Sequence, residues 1–116
     1  MAVNRLYVGS ATVSTTEFSL INGSTTSADL TSTGIWQAFV DFTNVDDATV
    51  YQVKYKDRFT TAGAQVTFSN PTFANAQGGA PGVVFPAFTM GNGMDITLTL
   101  VTGSATIVAW QLWKTA

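Results

Sequence analysis

The 116-residue chain has no cysteine and no histidine, and only 10% of its residues are charged. Without cysteine, neither a disulfide framework nor a thiolate metal site can hold the fold, so stability must come from packing and backbone hydrogen bonds, as suits a protein made in a reducing cytoplasm. Without histidine, the usual general base, the switch that titrates near neutral pH and the commonest transition-metal ligand are lost together. The charge content is far below the roughly 25% typical of soluble domains. Charges are depleted at interface cores, so the sparse charge predicts an exterior largely covered by neighbouring subunits. A net charge of −2 offers no electrostatic footprint for a phosphate backbone, which argues against nucleic acid as a partner. No apolar run approaches the ~20 residues of a membrane-spanning helix, and no membrane partner is expected. The start, Met1-Ala2-Val3-Asn4-Arg5, lacks the charged, apolar and small-residue succession of a secretory signal, so Sec-type export is not expected.

What remains is apolar and β-forming. Hydrophobic residues make up 46% of the chain, enough for one core at this length, and the expected organisation is a single domain over 1–116 with a short N-terminal arm over about residues 1–5. Apolar positions recur every second residue, in segments rich in Val, Ile, Thr, Tyr, Phe and Trp. Strands are expected at Leu6 to Val8, at Ser14 to Ile21 before the Asn22-Gly23 turn signal, at Ile35 to Phe42 and at Thr49 to Lys56. The last two are joined by a polar connection suited to a hairpin or a short crossover. Ser24 to Gly34 reads as a loop or short edge strand. Phe59 to Ser69 reads as a strand interrupted at Ala62-Gly63. Val83 to Met90 contains Pro86, which cannot donate to a ladder and so places that strand at a sheet edge or a bulge. Met94 to Leu100 and Ala105 to Lys114 are expected to form a C-terminal hairpin across Thr102-Gly103-Ser104. In its last strand both parities carry large apolar groups, so one face is core and the other meets something else. About seven to nine short strands between turn signals predict an all-β fold, an antiparallel β-sandwich of jelly-roll type.

The chemistry-bearing residues do not assemble into a catalytic pattern. Seven carboxylates are present, but a glycosidase needs two facing each other across a cleft, which spacing cannot establish. Asp41, Asp46 and Asp47 lie near one turn without the Asp/Asn and Gly positions of a calcium loop, and read as a solvated turn. A serine nucleophile would need a lysine base, and Lys54, Lys56 and Lys114 sit on strands with no supporting motif. No glycine-rich phosphate loop is present. Lys54, Lys56 and Arg58 read as a charge-guarded sheet edge. Trp36, Trp110 and Trp113 could stack on sugars, but buried aromatics are the default in such cores. The protein is therefore expected not to be an enzyme and to need no cofactor or metal.

Taken along its whole length, the chain resembles small virion proteins encoded among the structural genes of tailed bacteriophages. The likeness lies in TTEFSLINGSTT, in IWQAFVDF followed by VYQVKYKDR, in the PTFANAQ loop and in the closing MDITLTLVTGSATIVAWQLWK. The resemblance implies a structural virion protein made in the host cytoplasm: a capsid decoration or cement subunit, or a neck or tail accessory protein, that works by contacts alone. Its implied partners are itself, as a homo-oligomer with a trimer favoured, and the major capsid protein. Candidate contact residues are Arg5 on the N-terminal arm, Phe73 and Phe85 on the 71–86 loop, and Trp113. The competing expectation is a carbohydrate- or receptor-binding β-sandwich module of a phage tail or neck.

Overall fold

Segments that alternate apolar and polar residues without helical period can bury their apolar side chains only as strands that turn one face to a shared core. The computed structural model describes residues 3–31, 33–60, 62–74, 82–84, 88–90 and 93–115, with the side chains of residues 3, 69, 83, 84 and 88–90 outside the description. It contains ten strand segments: β1 (Val3–Val13), β2 (Phe18–Ser19), β3 (Gly34–Asp41), β4 (Val50–Asp57), β5 (Val66–Ser69), β6 (Thr72–Ala74), β7 (Gly82–Val84), β8 (Phe88–Met90), β9 (Asp95–Thr102) and β10 (Thr106–Thr115). β5 and β6 pair with successive stretches of β4. The break between them holds Pro71, whose carbonyl accepts the Val53 N–H at 3.0 Å. β7 and β8 likewise pair with successive stretches of β3.

The segments form two antiparallel sheets, β1-β10-β3-β7 with β8 also on β3, and β2-β9-β4-β5 with β6 also on β4. Counting β5 with β6 and β7 with β8 as one interrupted strand each, every sheet is four strands wide. The chain passes from one sheet to the other at every step except the β4 to β5 hairpin, which is the connectivity of a jelly roll. The edge position foreseen for the Pro86 segment agrees with the pairing of β7 and β8 on the outer side of β3.

Between the sheets lies one core. From the first sheet come Trp36, Ala38, Val40, Val108, Trp110 and Leu112, and from the second Phe18, Tyr51, Val53, Ile96, Leu98 and Leu100. Phe18 meets Trp110 edge-on at 5.4 Å, while Phe42 stacks between Tyr51 and Phe73 at 6.1 and 5.2 Å.

Several expectations about pairing are corrected. Strands form where the C-terminal hairpin was expected, but β9 lies in the second sheet beside β4 and β10 in the first between β1 and β3. The apolar row Ile96, Leu98 and Leu100 can bury against Val108, Trp110 and Leu112 only if the two strands face each other across the core, which a hairpin within one sheet would prevent. The β3–β4 connection, expected as a hairpin or a short crossover, is the crossover, for the same reason. The two crossovers are tied together: the Thr49 hydroxyl donates to Asp46 Oδ1 at 2.6 Å and accepts the Ser104 N–H at 3.2 Å, and Thr106 Oγ1 donates to the Asn44 carbonyl at 3.3 Å.

The expected N-terminal arm is strand from Val3 onward, in register with Thr115 through Trp113 of β10. Of the strand expected over Ser14 to Ile21, only Phe18–Ser19 is regular strand; the Leu20 N–H still bonds the Ile96 carbonyl at 2.8 Å and the Leu100 N–H bonds the Ser14 carbonyl at 3.0 Å, but the chain then turns back, with the Gly23 N–H on the Ser19 carbonyl at 2.9 Å. Among the described residues of the Phe59 to Ser69 segment, only Val66–Ser69 is strand.

Candidate functional site

The outer face of the first sheet follows from parity. On β10 the core takes Val108, Trp110 and Leu112, so Ile107, Ala109, Gln111 and Trp113 point away from it. Register places Val8 of β1 and Phe39 of β3 on either side of Gln111. One step along the strands the row is Ser10, Ala109, Asp41 and Gly82, and the next is Thr12 and Ile107. A row of small side chains next to a row of large ones makes a shallow depression of about 340 Å³, lined by Val8, Phe39, Asp41, Gly82, Ala109 and Gln111, with Gly9, Val40 and Trp110 contributing.

This face is apolar for an exterior. Val8 is 58% exposed, Ile107 54% and Ile35 47%. Among its described residues the charged side chains are Asp41 and, at the margin, Arg5. Asp41 Oδ1 is engaged locally by the Thr43 N–H at 2.9 Å and by the Thr43 hydroxyl. Arg5 is exposed and lies opposite Trp113 in the β1–β10 register, so two of the four residues singled out from sequence are neighbours here. Trp113 is half-buried, and its indole N–H donates to Gln111 Oε1 at 3.0 Å. Phe73 lies elsewhere, half-buried on β6 and stacked on Phe42, so its ring serves the core. Phe85 and residues 75–81 of the expected contact loop lie outside the described residues. The sequence reading put Ala109 and Gln111 on one of the two apolar parities of the last strand, one of which was expected to meet something else, but singled neither out as a contact residue and missed Val8 and Phe39, which only register brings beside them.

The outer face of the second sheet is a different surface. Lys54 and Lys56 point outward from β4, which lies inside its sheet between β9 and β5, so the expected charge-guarded edge is corrected. Glu17 reaches across β9 to them. Its Oε1 accepts from Lys56 Nζ at 2.8 Å, its Oε2 lies 3.9 Å from Lys54 Nζ, and Thr97 Oγ1 donates to Oε2 at 2.7 Å. Burial works against ionisation of Glu17, but the hydrogen bonds from Lys56 and Thr97 and the two ammonium charges prevail and lower its pKa. The same segment covers Asp95, which accepts from the Ser19 hydroxyl at 2.6 Å and the Ala28 N–H at 3.0 Å. Asp95 is fully buried, and burial raises its pKa despite those bonds. Arg58 pairs with Asp29 at 3.0 Å and donates to the Gly63 carbonyl, and Gln65 donates to the carbonyls of Ala28 and Gly93. These groups hold the chain's own loops down.

At the end of the second sheet Phe59, 81% exposed, packs its ring 4.9 Å from that of Phe68, 46% exposed. Asp46 accepts from the Ala48 N–H and the Thr49 hydroxyl and thereby shapes its own turn. Among the described residues no three His, Cys, Asp or Glu side chains cluster as metal ligands, and no helix is long and apolar enough to cross a membrane. The outer face of the first sheet is thus a weakly charged surface with exposed apolar side chains, and neither the known protein families, nor the curated proteins, nor the solved structures contain a match to this chain.

Proposed function

We propose that this protein is a structural virion subunit, a capsid decoration or cement protein, that lays the outer face of its first sheet on a protein lattice and acts through buried contacts. The observation that carries the reading is the apolar, weakly charged face built from Val8, Ile35, Phe39, Ile107, Ala109 and Gln111. Four strands about 4.8 Å apart and roughly seven residues long at ~3.3 Å per residue give a face of about 440 Å². That is near half of the ~800 Å² per partner of a standard stable interface. One such contact is weak, and a lattice of equivalent sites suits it, because each attached copy raises the effective concentration of the next contact.

The test is co-sedimentation of the purified protein with heads assembled without it. The wild-type chain is expected to pellet with the heads, Ala109→Arg to lose attachment by at least tenfold with unchanged thermal stability, and Phe59→Arg to attach normally. Heads that take up no wild-type protein, or take up Ala109→Arg equally well, count against the proposal.

A second reading, a carbohydrate-binding module, draws on the same depression, where the Phe39 ring stands beside the Asp41 carboxylate and the Gln111 amide. Aromatic platforms with polar groups at their rim are how such sites hold sugars. A glycan array separates the two: saturable binding abolished by Phe39→Ala favours the module.

A further inference from the structure

A two-sheet sandwich has four edges, and here they are protected very unequally. In the second sheet β2 is two residues long, and the β5/β6 edge is broken at Asn70-Pro71. In the first sheet the β7/β8 edge is split into two three-residue segments, with Pro86 between them in sequence. The remaining edge is β1, eleven residues long. Its one irregularity is a register shift between Arg5 and Tyr7, so Tyr7 to Val13 runs without interruption. No charged residue occurs from Leu6 to Val13. Among the described residues, no backbone hydrogen bond other than those to β10 involves residues 3–13. Natural sheets blunt their edges with short strands, proline, bulges or charge. Three of these edges follow that rule, whereas β1 over Tyr7–Val13 carries none of these devices, and the turn over residues 20–23 borders it only at residues 6–8.

We propose that the outer edge of β1 is a strand-pairing site for a second copy of this chain, antiparallel about a two-fold axis at Ser10, joining the first sheets of two subunits into one continuous sheet. Three observations select a second copy as the occupant. An extended partner must offer an unpaired strand of similar length, and β1 itself is such a strand. Pairing about a two-fold axis consumes both open edges and closes, whereas head-to-tail addition would leave an edge free and grow. The register centred on Ser10 overlaps the whole regular stretch and keeps the faces matched: Val8 meets the partner subunit's Thr12, Gly9 meets the partner subunit's Ala11, and the two Ser10 residues meet on the axis. The outer-face row Phe39, Gln111 and Val8 then continues into the partner subunit's Thr12, which makes Val8 and the partner subunit's Thr12 a cross-strand β-branched pair with the exposed side chain of the partner subunit's Ile107 on its far side. The pairing also doubles the apolar face offered to a lattice, but it does not depend on there being one.

The absence of cysteine makes the test clean. Ser10→Cys in the full-length chain introduces a single thiol, and mild oxidation is expected to convert most of the protein to a disulfide-linked dimer, whereas Phe59→Cys, also exposed but beyond β4 of the second sheet, should remain largely uncrosslinked. By light scattering the wild-type chain is expected to have twice the mass of the monomer. Val8→Lys with Thr12→Lys sets like charges opposite one another twice and should raise the dissociation constant at least tenfold, and Val8→Lys with Thr12→Glu, which sets opposite charges in the same places, should restore the dimer. A wild-type monomer, equal crosslinking at residues 10 and 59, or both charge variants behaving alike overturns the pairing. A trimer overturns it too, since a two-fold strand pairing cannot generate one. Co-sedimentation of the wild-type and Ala109→Arg chains with heads is read separately from the mass and crosslinking measurements, so failure of the pairing and failure of the lattice reading are told apart.

Discussion

Tyr51 shows how much a single polar atom holds in this fold. Its side chain is fully buried, and its hydroxyl donates to the Val13 carbonyl at 2.8 Å and accepts the Thr106 N–H at 3.0 Å. One oxygen on the second sheet therefore satisfies the end of β1 and the start of β10 in the first. Burial raises its pKa although the Thr106 bond opposes this, so the hydroxyl keeps its proton, and with it the bond to Val13, well into the alkaline range. Tyr51→Phe keeps the ring stacked on Phe42 and leaves the buried Val13 carbonyl and the part-buried Thr106 N–H without that partner. The expected loss is about 2 kcal/mol of folding stability, read as a lower urea midpoint at unchanged slope.

At the scale of elements, the crossovers between sheets are the sensitive joints. Gly103 sits between β9 and β10 with φ of +96°, and a Cβ there would lie 2.5 Å from Thr49 Oγ1 and 2.6 Å from the Ala48 carbonyl oxygen. Thr49 cannot yield, because its hydroxyl bridges Asp46 and Ser104. Gly103→Ala is expected to cost about 2–3 kcal/mol by strain and overlap together. Gly23, at φ of +64° with open space around it, should cost about 1 kcal/mol when changed to Ala. Thermal denaturation of the two variants gives the comparison, and equal losses would place the Gly103 effect in backbone preference alone.

The same joints explain what sequence could and could not reveal. The two faces of β4 and the strand positions of β3, β9 and β10 are legible, because alternation is a local property. Which sheet each strand joins is not, because it depends on which apolar rows meet across the core: Ile96 to Leu100 and Val108 to Leu112 look like a hairpin until they are stacked. The candidate face has the same origin. Trp110 and Trp113 stand on opposite parities of β10, so neither parity announces itself as core, and the depression needs Val8, Ala109 and Phe39, which register alone makes neighbours.

At the scale of the whole molecule, two carboxylates under one covering segment give stability a pH profile with opposed limbs. Asp95 has its pKa raised above the ordinary 3.8, so the folded state holds its proton more tightly than the unfolded chain. The stability this contributes is complete below 3.8 and is lost as pH rises through the folded pKa. Glu17 has its pKa lowered below the ordinary 4.5, so its contribution is complete above 4.5 and is lost as pH falls through the folded value. On acidification from neutral pH, the cost of the buried Asp95 charge is relieved before the Glu17 contacts to Lys56, Lys54 and Thr97 fail, so the chain should be most stable in mildly acid solution. Asp95→Asn can still accept the Ala28 N–H through its carbonyl and donate to the Ser19 oxygen through its amide, and it carries no charge to bury. It is expected to match or exceed the wild-type melting temperature at pH 7 and to lack the wild-type rise on mild acidification, while keeping the fall at lower pH. Glu17→Gln should keep the rise and show a weaker fall. Melting temperature followed from pH 3 to pH 8 for the three proteins checks the assignment, and a rise that persists in Asp95→Asn would show that another group carries it.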